Sequence, residues 1–336
     1  MIIGVPRETK EGERRVALLP RAVEEIAQAG HDVRVETRAG QGIGLGDDAF
    51  RAMGAHIVIA RDVWDSDLVV KVKEVQDADL AVMPRGATVF AFHHLPGEPQ
   101  RTRALTAKGA TAIAFEMVRD ARGEYPLLAP MSRMAGRMVI DMKTGFHKVL
   151  VLGAGHAGRA AAEAARKRGA EVVMLTRATA TPENVERHAL EADLVVGAVF
   201  VAGERTPKLL PRSLVARMKR GAMIADISID AGGVAETSRP TTHAEPTFVE
   251  EGVVHYCVPN IPAADPAGAA AAISEAALPY VLDMAAHDSV ATALLANAEL
   301  RGAVLIWQGR VTHAGIAAEA GLPYSPLTDA ELAEAA

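Results

Sequence analysis

Residues 148–177 read "KVLVLGAGHAGRAAAEAARKRGAEVVMLTR". The run "KVLVL" is apolar and bounded by a turn, the mark of a short buried strand. "GAGHAG" follows at once, and the next glycine after it is Gly169, which leaves room for a helix of about three turns. "EVVMLTR" is a second strand. This order of strand, glycine turn, helix and strand is the phosphate-binding corner of a doubly wound α/β fold. Gly153 permits the tight turn. Gly155 lets backbone approach a pyrophosphate, and Gly158 lets the helix pack close to the strand. The phosphates would lie at a helix N-terminus, where unpaired N–H groups and the helix dipole favour anions.

The second strand of such a corner usually ends in an acid that accepts the ribose hydroxyls. Here it ends in Thr176 and Arg177. Threonine does not repel a 2′-phosphate, and a guanidinium pairs with one bidentately. The expected cofactor is therefore NAD or NADP, with Arg177 tilting the balance toward NADP.

Outward from this corner, both flanks alternate short apolar strands with helical segments. Toward the N-terminus lie "MIIGVP", "HIVIA", "DLVVKVKE", "TVFAFHH" and "ATAIAFEMV". "MSRMAGRMVIDMKTG" (131–145) has helical spacing and leads directly into residue 148. Downstream come "DLVVGAVF" (193–200), "MIADISI" and "VVHYCVP", and then a helical tail predicted to return to the first domain. Such alternation predicts parallel sheets covered on both faces.

Composition narrows the function classes. Apolar residues make up 49% and charged residues 23%, enough to build a sizeable core. Net charge is −6, which gives no electrostatic reason to expect nucleic acid or an anionic membrane as partner. Cys257 is the only cysteine, so no internal disulfide can form, in keeping with a reducing cytoplasm. The N-terminal stretch is charged by residue 7 and lacks an apolar signal core. "AGAAAAISEAALPYVLDMAA" (267–286) is interrupted by Glu275, Pro279 and Asp283, so a buried or docking helix is expected there instead of a membrane span.

Several further segments act together: "GVPRETKEGERRVAL" (4–18), "DLVVKVKE" (67–74), "FAFHHL" (90–95), "PLLAPMSRMAGR" (126–137), the long block 225–262, "ALPYV" (277–281) and "GLPYSPL" (321–327). With the glycine turn, they resemble alanine dehydrogenase and, more distantly, domain I of proton-translocating transhydrogenase. The resemblance covers nearly the whole chain. It implies two Rossmann-like α/β domains with parallel sheets and an active-site cleft between them. Residues 1–127 plus 267–336 would form the substrate domain, and 128–266 the dinucleotide-binding domain. The implied chemistry is reversible oxidative deamination of L-alanine or a similar small amino acid to a 2-oxo acid and ammonia. The implied assembly is a homo-oligomer.

The resemblance also implies roles. Arg15 would bind the substrate carboxylate, and Lys73 would bind substrate and polarise its carbonyl. His94 would be the acid–base group and Asp230 its partner at the nicotinamide. Cofactor contacts would come from Ser132, Gly153, Gly155, His156, Ala157, Gly158, Thr176, Arg177, Val199 and Phe200. Ile227, Ser228, Ile229, Asp230, Arg239, Val258, Asn260 and Ile261 would complete that pocket. No metal is implied.

Read alone, each residue also has a plainer meaning. Arg15 could be a surface arginine, and Lys71 and Lys73, which share parity on a strand, could be solvated on a sheet edge. Asp226 reads as a buried structural acid. The sequence also departs from the family pattern. It lacks a glycine-rich excursion before residue 148, and only "ATATPENVERHAL" (178–190) stands where the family has a helix and a strand. Phe115 replaces a tyrosine, Arg133 an acid, and "PAGAAAAIS" a run bearing Thr and Asn. Loss of hydroxyls beside a substrate pocket relaxes selection, so a non-alanine substrate or a non-catalytic nucleotide-binding role are the alternatives.

Overall fold

β-Branched and aliphatic runs of four or five residues become interior strands here because both their faces are covered. The computed structural model describes residues 1–201 and 204–336. The chain divides into two compact units, Met1–Pro130 with Asp265–Ala336, and Met131–Ala264.

In the first unit, β1 (Ile2–Val5), β2 (Asp32–Glu36), β3 (His56–Val58), β4 (Leu68–Val70), β5 (Thr88–Ala91) and β6 (Thr111–Ala114) run parallel. In the second, β7 (Lys148–Leu152), β8 (Glu171–Leu175), β9 (Leu194–Gly197), β10 (Met223–Asp226) and β12 (Val253–Tyr256) are parallel, and β11 (Thr247–Glu250) pairs antiparallel with β12. The chain then returns to the first unit. There β13 (Val304–Trp307) pairs antiparallel with β6, and β14 (Arg310–Val311) antiparallel with β13. The sheets read β14-β13-β6-β5-β4-β1-β2-β3 and β11-β12-β10-β9-β7-β8. They are mostly parallel, and the antiparallel strands lie at the margins.

Both faces of the second sheet are covered. Val149, Val151 and Val196 pack with the helices Leu128–Asp141 and His156–Lys167. Leu150, Val195 and Ile224 pack on the other side with the helix Pro182–Glu191. That helix is the only regular element between β8 and β9, so β8 is the sheet's edge.

Among the described residues no single helix is long and apolar enough to cross a membrane. The bent pair Pro266–Ala285 and Val290–Ala296 passes by length and composition. Its Ile273, Ala277, Val281 and Met284 are buried in the first unit's interior, and Ser274 accepts a hydrogen bond from Leu19 N at 2.9 Å.

Strands end earlier than their sequence patterns suggest, always at the carboxyl side. β4 stops at Val70, before the lysines. β5 stops at Ala91, before the histidines. β10 stops at Asp226 and passes into a 3-10 turn, Ile227–Ala231. The first two truncations trace to buried carboxylates that take the next amides.

Candidate active site

In the first unit, the chemistry-bearing residues gather at the carboxyl ends of β1, β4, β5 and β6, where parallel sheets place their ligands. Lys71 and Lys73 are buried, and β4 lies inside the sheet, which removes the solvated-edge reading. Lys71 lies 2.9 Å from Asp79 and 3.3 Å from Glu8. Burial works against its charge, but Glu8 and Asp79 outweigh burial and hold its ammonium above the usual lysine range. Burial pushes the Glu8 carboxyl up, opposed by Lys71. Glu8 also accepts Val72 N at 2.6 Å and Lys73 N at 3.3 Å. These bonds draw residues 72–73 out of the regular ladder.

Lys73 faces Glu74 at 3.9 Å, and Lys10 caps the same carboxylate. Burial pushes Glu74 up, yet Lys73, His94 and Lys10 together hold it well below the usual carboxylate range. Glu74 therefore stays ionised, a fixed negative charge shared by the site's cations.

Arg15 is buried while Arg14 is exposed. Its loop is irregular. Glu13 orients the guanidinium, accepting Nε at 2.7 Å and Nη2 at 2.6 Å. A fork held in this way is aimed before any carboxylate arrives.

His93 and His94 differ sharply. His93 is fully buried, contacts Val89 O through Nε2 at 3.2 Å, and is kept neutral by burial. His94 is half-buried and lies beyond the strand, in a left-handed conformation with φ 46°. Its ring stacks on Phe92 with centroids 5.7 Å apart.

In the second unit the three glycines of the turn divide their work. A Cβ on Gly153, whose φ is 105°, would meet Ala198 O at 2.2 Å, and one on Gly158 would meet Gly153 O at 1.9 Å. A Cβ on Gly155 would meet nothing within 4 Å. Protein packing explains the first two, while the third leaves open space where a ligand's phosphates fit. No side chain caps the helix His156–Lys167 at Gly155. The helix therefore begins without a side-chain cap beside the open space at Gly155, an N-terminus that fits a dinucleotide's phosphates. Ala157 is buried beside Gly136, whose own Cβ would meet Ala157 O at 2.1 Å. Ser132 is half-buried on that neighbouring helix, and Arg133 approaches His156 Nδ1 at 3.5 Å.

β8 adjoins the turn, with Gly153 N donating to Leu175 O at 2.9 Å. Thr176 is tied into a local turn, its N donating to Thr179 Oγ1 at 2.9 Å and its hydroxyl 3.2 Å from the same oxygen. Arg177 projects from that turn and is exposed.

The remaining candidates have mixed placements. Ser228 braces the loop after β9, donating to Val199 O and accepting Val199 N, both at 2.8 Å. Phe200 is exposed, and Val258, Ile229 and Ile261 are buried. Ile227 packs partly against the second unit's core. Arg239 stacks over Phe248 at 4.0 Å. Asp230 does not close β10 but sits one turn beyond it, exposed, with Asn260 N donating to its Oδ2 at 3.4 Å. Asn260 is left-handed, φ 59°. Asp226 does close β10. It is fully buried and accepts Val234 N at 2.8 Å and Ser238 Oγ at 2.6 Å, and burial pushes its carboxyl up. Burial also pushes the Cys257 thiol up to about 12, so it is not a thiolate nucleophile.

Sequence reasoning missed the acids that organise the site: Glu8, Glu13, Glu74, Asp79 and Glu116. Glu8 and Glu116 lie just past a strand and Glu13 and Glu74 beside a named base, which was the available signal, whereas Asp79 lies within the helix Asp77–Val82 and had none.

Comparison with known proteins completes the picture. The sequence family described as Alanine dehydrogenase/PNT, N-terminal domain, matches residues 4–135, and Alanine dehydrogenase/PNT, C-terminal domain, matches 174–314. Glucose inhibited division protein A matches only 148–186, the segment around the glycine turn. The chain is 37% identical to alanine dehydrogenase of Halomonas elongata, over 96% of this chain and 98% of the relative. It is 36% identical to alanine dehydrogenase of Bacillus subtilis, over 97% and 96%. The Halomonas alignment spans 366 positions, more than the 336 residues here, so the relative carries segments with no counterpart in this chain. An L-alanine dehydrogenase structure superposes with a TM-score of 0.84 at 35% identity, covering 95% of this chain and 98% of that one. A transhydrogenase from Sinorhizobium meliloti shares the fold, with a TM-score of 0.78 at 23% identity over 94% and 99%. On sequence and fold alike, the chain belongs to the alanine dehydrogenase/PNT family.

Proposed function

We propose that this protein is an alanine dehydrogenase, which converts L-alanine to pyruvate and ammonia reversibly with a nicotinamide dinucleotide. One observation carries the reading. A chain 37% identical to an alanine dehydrogenase over 96% of its length places Glu13 against the Arg15 guanidinium and the Glu74 carboxylate beside Lys73 and His94.

In this reading Arg15, aimed by Glu13, takes the substrate carboxylate. Lys73 carries positive charge to the oxygen on C2 and polarises that carbon. The dinucleotide, when bound, accepts the hydride from the amino acid and returns it in the reverse direction. His94 takes a proton from the water that attacks the iminium and gives it back as the carbinolamine collapses. Asp230 orients the water or ammonia. Gly155 and the N-terminus of the following helix would hold the pyrophosphate, with Gly153 and Gly158 letting the corner close tightly behind it.

The test is nicotinamide absorbance with pyruvate plus ammonia, run beside a panel of other 2-oxo acids. Turnover with pyruvate is expected. Turnover elsewhere but not with pyruvate would remove alanine as substrate, and dinucleotide binding with no turnover at all would remove the enzyme reading.

The finer proposal is a preference for NADP. Thr176 spends its hydroxyl within its own turn, while Arg177 is exposed beside the glycine corner. A charge-assisted bond to a 2′-phosphate contributes about 1.5–3 kcal/mol, or about one to two decades of affinity. Arg177→Ala is expected to weaken NADP by that factor and leave NAD unchanged in a binding titration. An unchanged NADP affinity would refute it.

A further inference from the structure

We propose that Glu116 is the positioning residue for His94, holding residues 93 and 94 in the turn that presents the imidazole. The proposal rests on the acid–base role assigned to His94 above. Phe92 N still donates to Val72 O across the sheet at 3.2 Å. The next two amides turn instead to Glu116. Its Oε1 accepts His94 N at 2.7 Å and His93 N at 3.1 Å, and Oε2 accepts His93 N at 3.2 Å.

Glu116 is only 7% exposed, so these charge-assisted bonds form away from water. They close over a residue at φ 46°, a conformation that a side chain with Cβ keeps only when its surroundings over-determine it. Phe115, the residue before Glu116, supplies the second constraint. Its ring meets Phe92 edge-on at 5.2 Å, and Phe92 in turn stacks on the His94 imidazole. The end of β6 thus delivers both the acceptor and the aromatic wall. Among the charged groups facing His94 are Glu74 from the end of β4 and Glu116 itself, with neutral His93 adjacent.

The experiment measures steady-state kinetics of the full chain as wild type, Glu116→Ala, Glu116→Gln, His94→Ala and the Glu116→Ala/His94→Ala double variant. It adds a crystal structure of Glu116→Ala. Glu116→Ala is expected to lower kcat about 10²-fold, the loss typical of a misplaced catalytic group, with dinucleotide affinity unchanged. Glu116→Gln keeps one acceptor oxygen for two amides and should fall between the alanine variant and wild type. Once His94 is gone, removing Glu116 should cost nothing more. Additive losses would reveal a general structural role and overturn the proposal, as would near-wild-type kcat in Glu116→Ala. If the alanine variant does not fold, the cycle is run with Glu116→Gln under the same criterion. In the crystal, His94 should leave the left-handed region, and a retained turn would overturn the proposal. That reading is independent of turnover, so a wild type inactive on every 2-oxo acid would sink the functional reading without deciding this one.

Discussion

Replacing His94 by alanine is expected to lower kcat by about 10²–10⁴-fold, the usual worth of a positioned acid–base group. Dinucleotide affinity should be unchanged, because the residues fitted to the cofactor belong to the glycine corner of the other compact unit. The backbone demands a control. At φ 46° alanine is strained, whereas asparagine is tolerated there, so His94→Asn removes the proton carrier while suiting the turn. Both variants should lose turnover to similar extents. If His94→Asn kept near-full kcat, the proton would be moving through another group and the assignment would be wrong. A loss confined to alanine would trace the effect to the turn.

The sequence nominates His94, but its conformation could not be read there. Alternation along "FAFHHL" suggests a strand with its two histidines on opposite faces. The strand stops at Ala91 because Glu116, more than twenty positions away in sequence, captures the next two free amides. The lysines of "DLVVKVKE" tell the same story, since Glu8 takes the amides of Val72 and Lys73. Local periodicity reports which face of a strand a residue occupies. It carries no information about a distant carboxylate that ends the strand. The glycine corner was legible because all its determinants are local, namely two strands, one helix and a turn within thirty residues. The return of the C-terminal segment was legible only as a leftover run of helix, whereas the pairing of β13 with β6 that anchors it has no mark in either strand.

The second large effect is expected at Lys71, which touches no substrate in the proposed mechanism. Lys71→Met replaces a fully buried ammonium with a side chain of similar length and leaves Glu8 and Asp79 facing each other's charge. Losing one partner of a buried ionic cluster typically costs about 3–5 kcal/mol. The sign of the pH dependence follows from Glu8. Burial already raises its folded-state value, and Lys71 is the principal influence lowering it, so the variant's value rises further. A carboxyl raised on folding contributes stability that is present below its unfolded value and lost as pH rises through the folded one. The variant's deficit should therefore be larger at about pH 8 than at about pH 5, because protonation of Glu8 as pH falls relieves the leftover charge. Urea midpoints of wild type and variant at both values measure this directly. A deficit independent of pH would show that Lys71 stabilises through packing alone. Because Glu8 also receives the Lys73 amide, the same variant should raise KM for the 2-oxo acid where the fold survives. A network that stabilises the first unit would then also be what sets Lys73, the lysine proposed to bind substrate, in place.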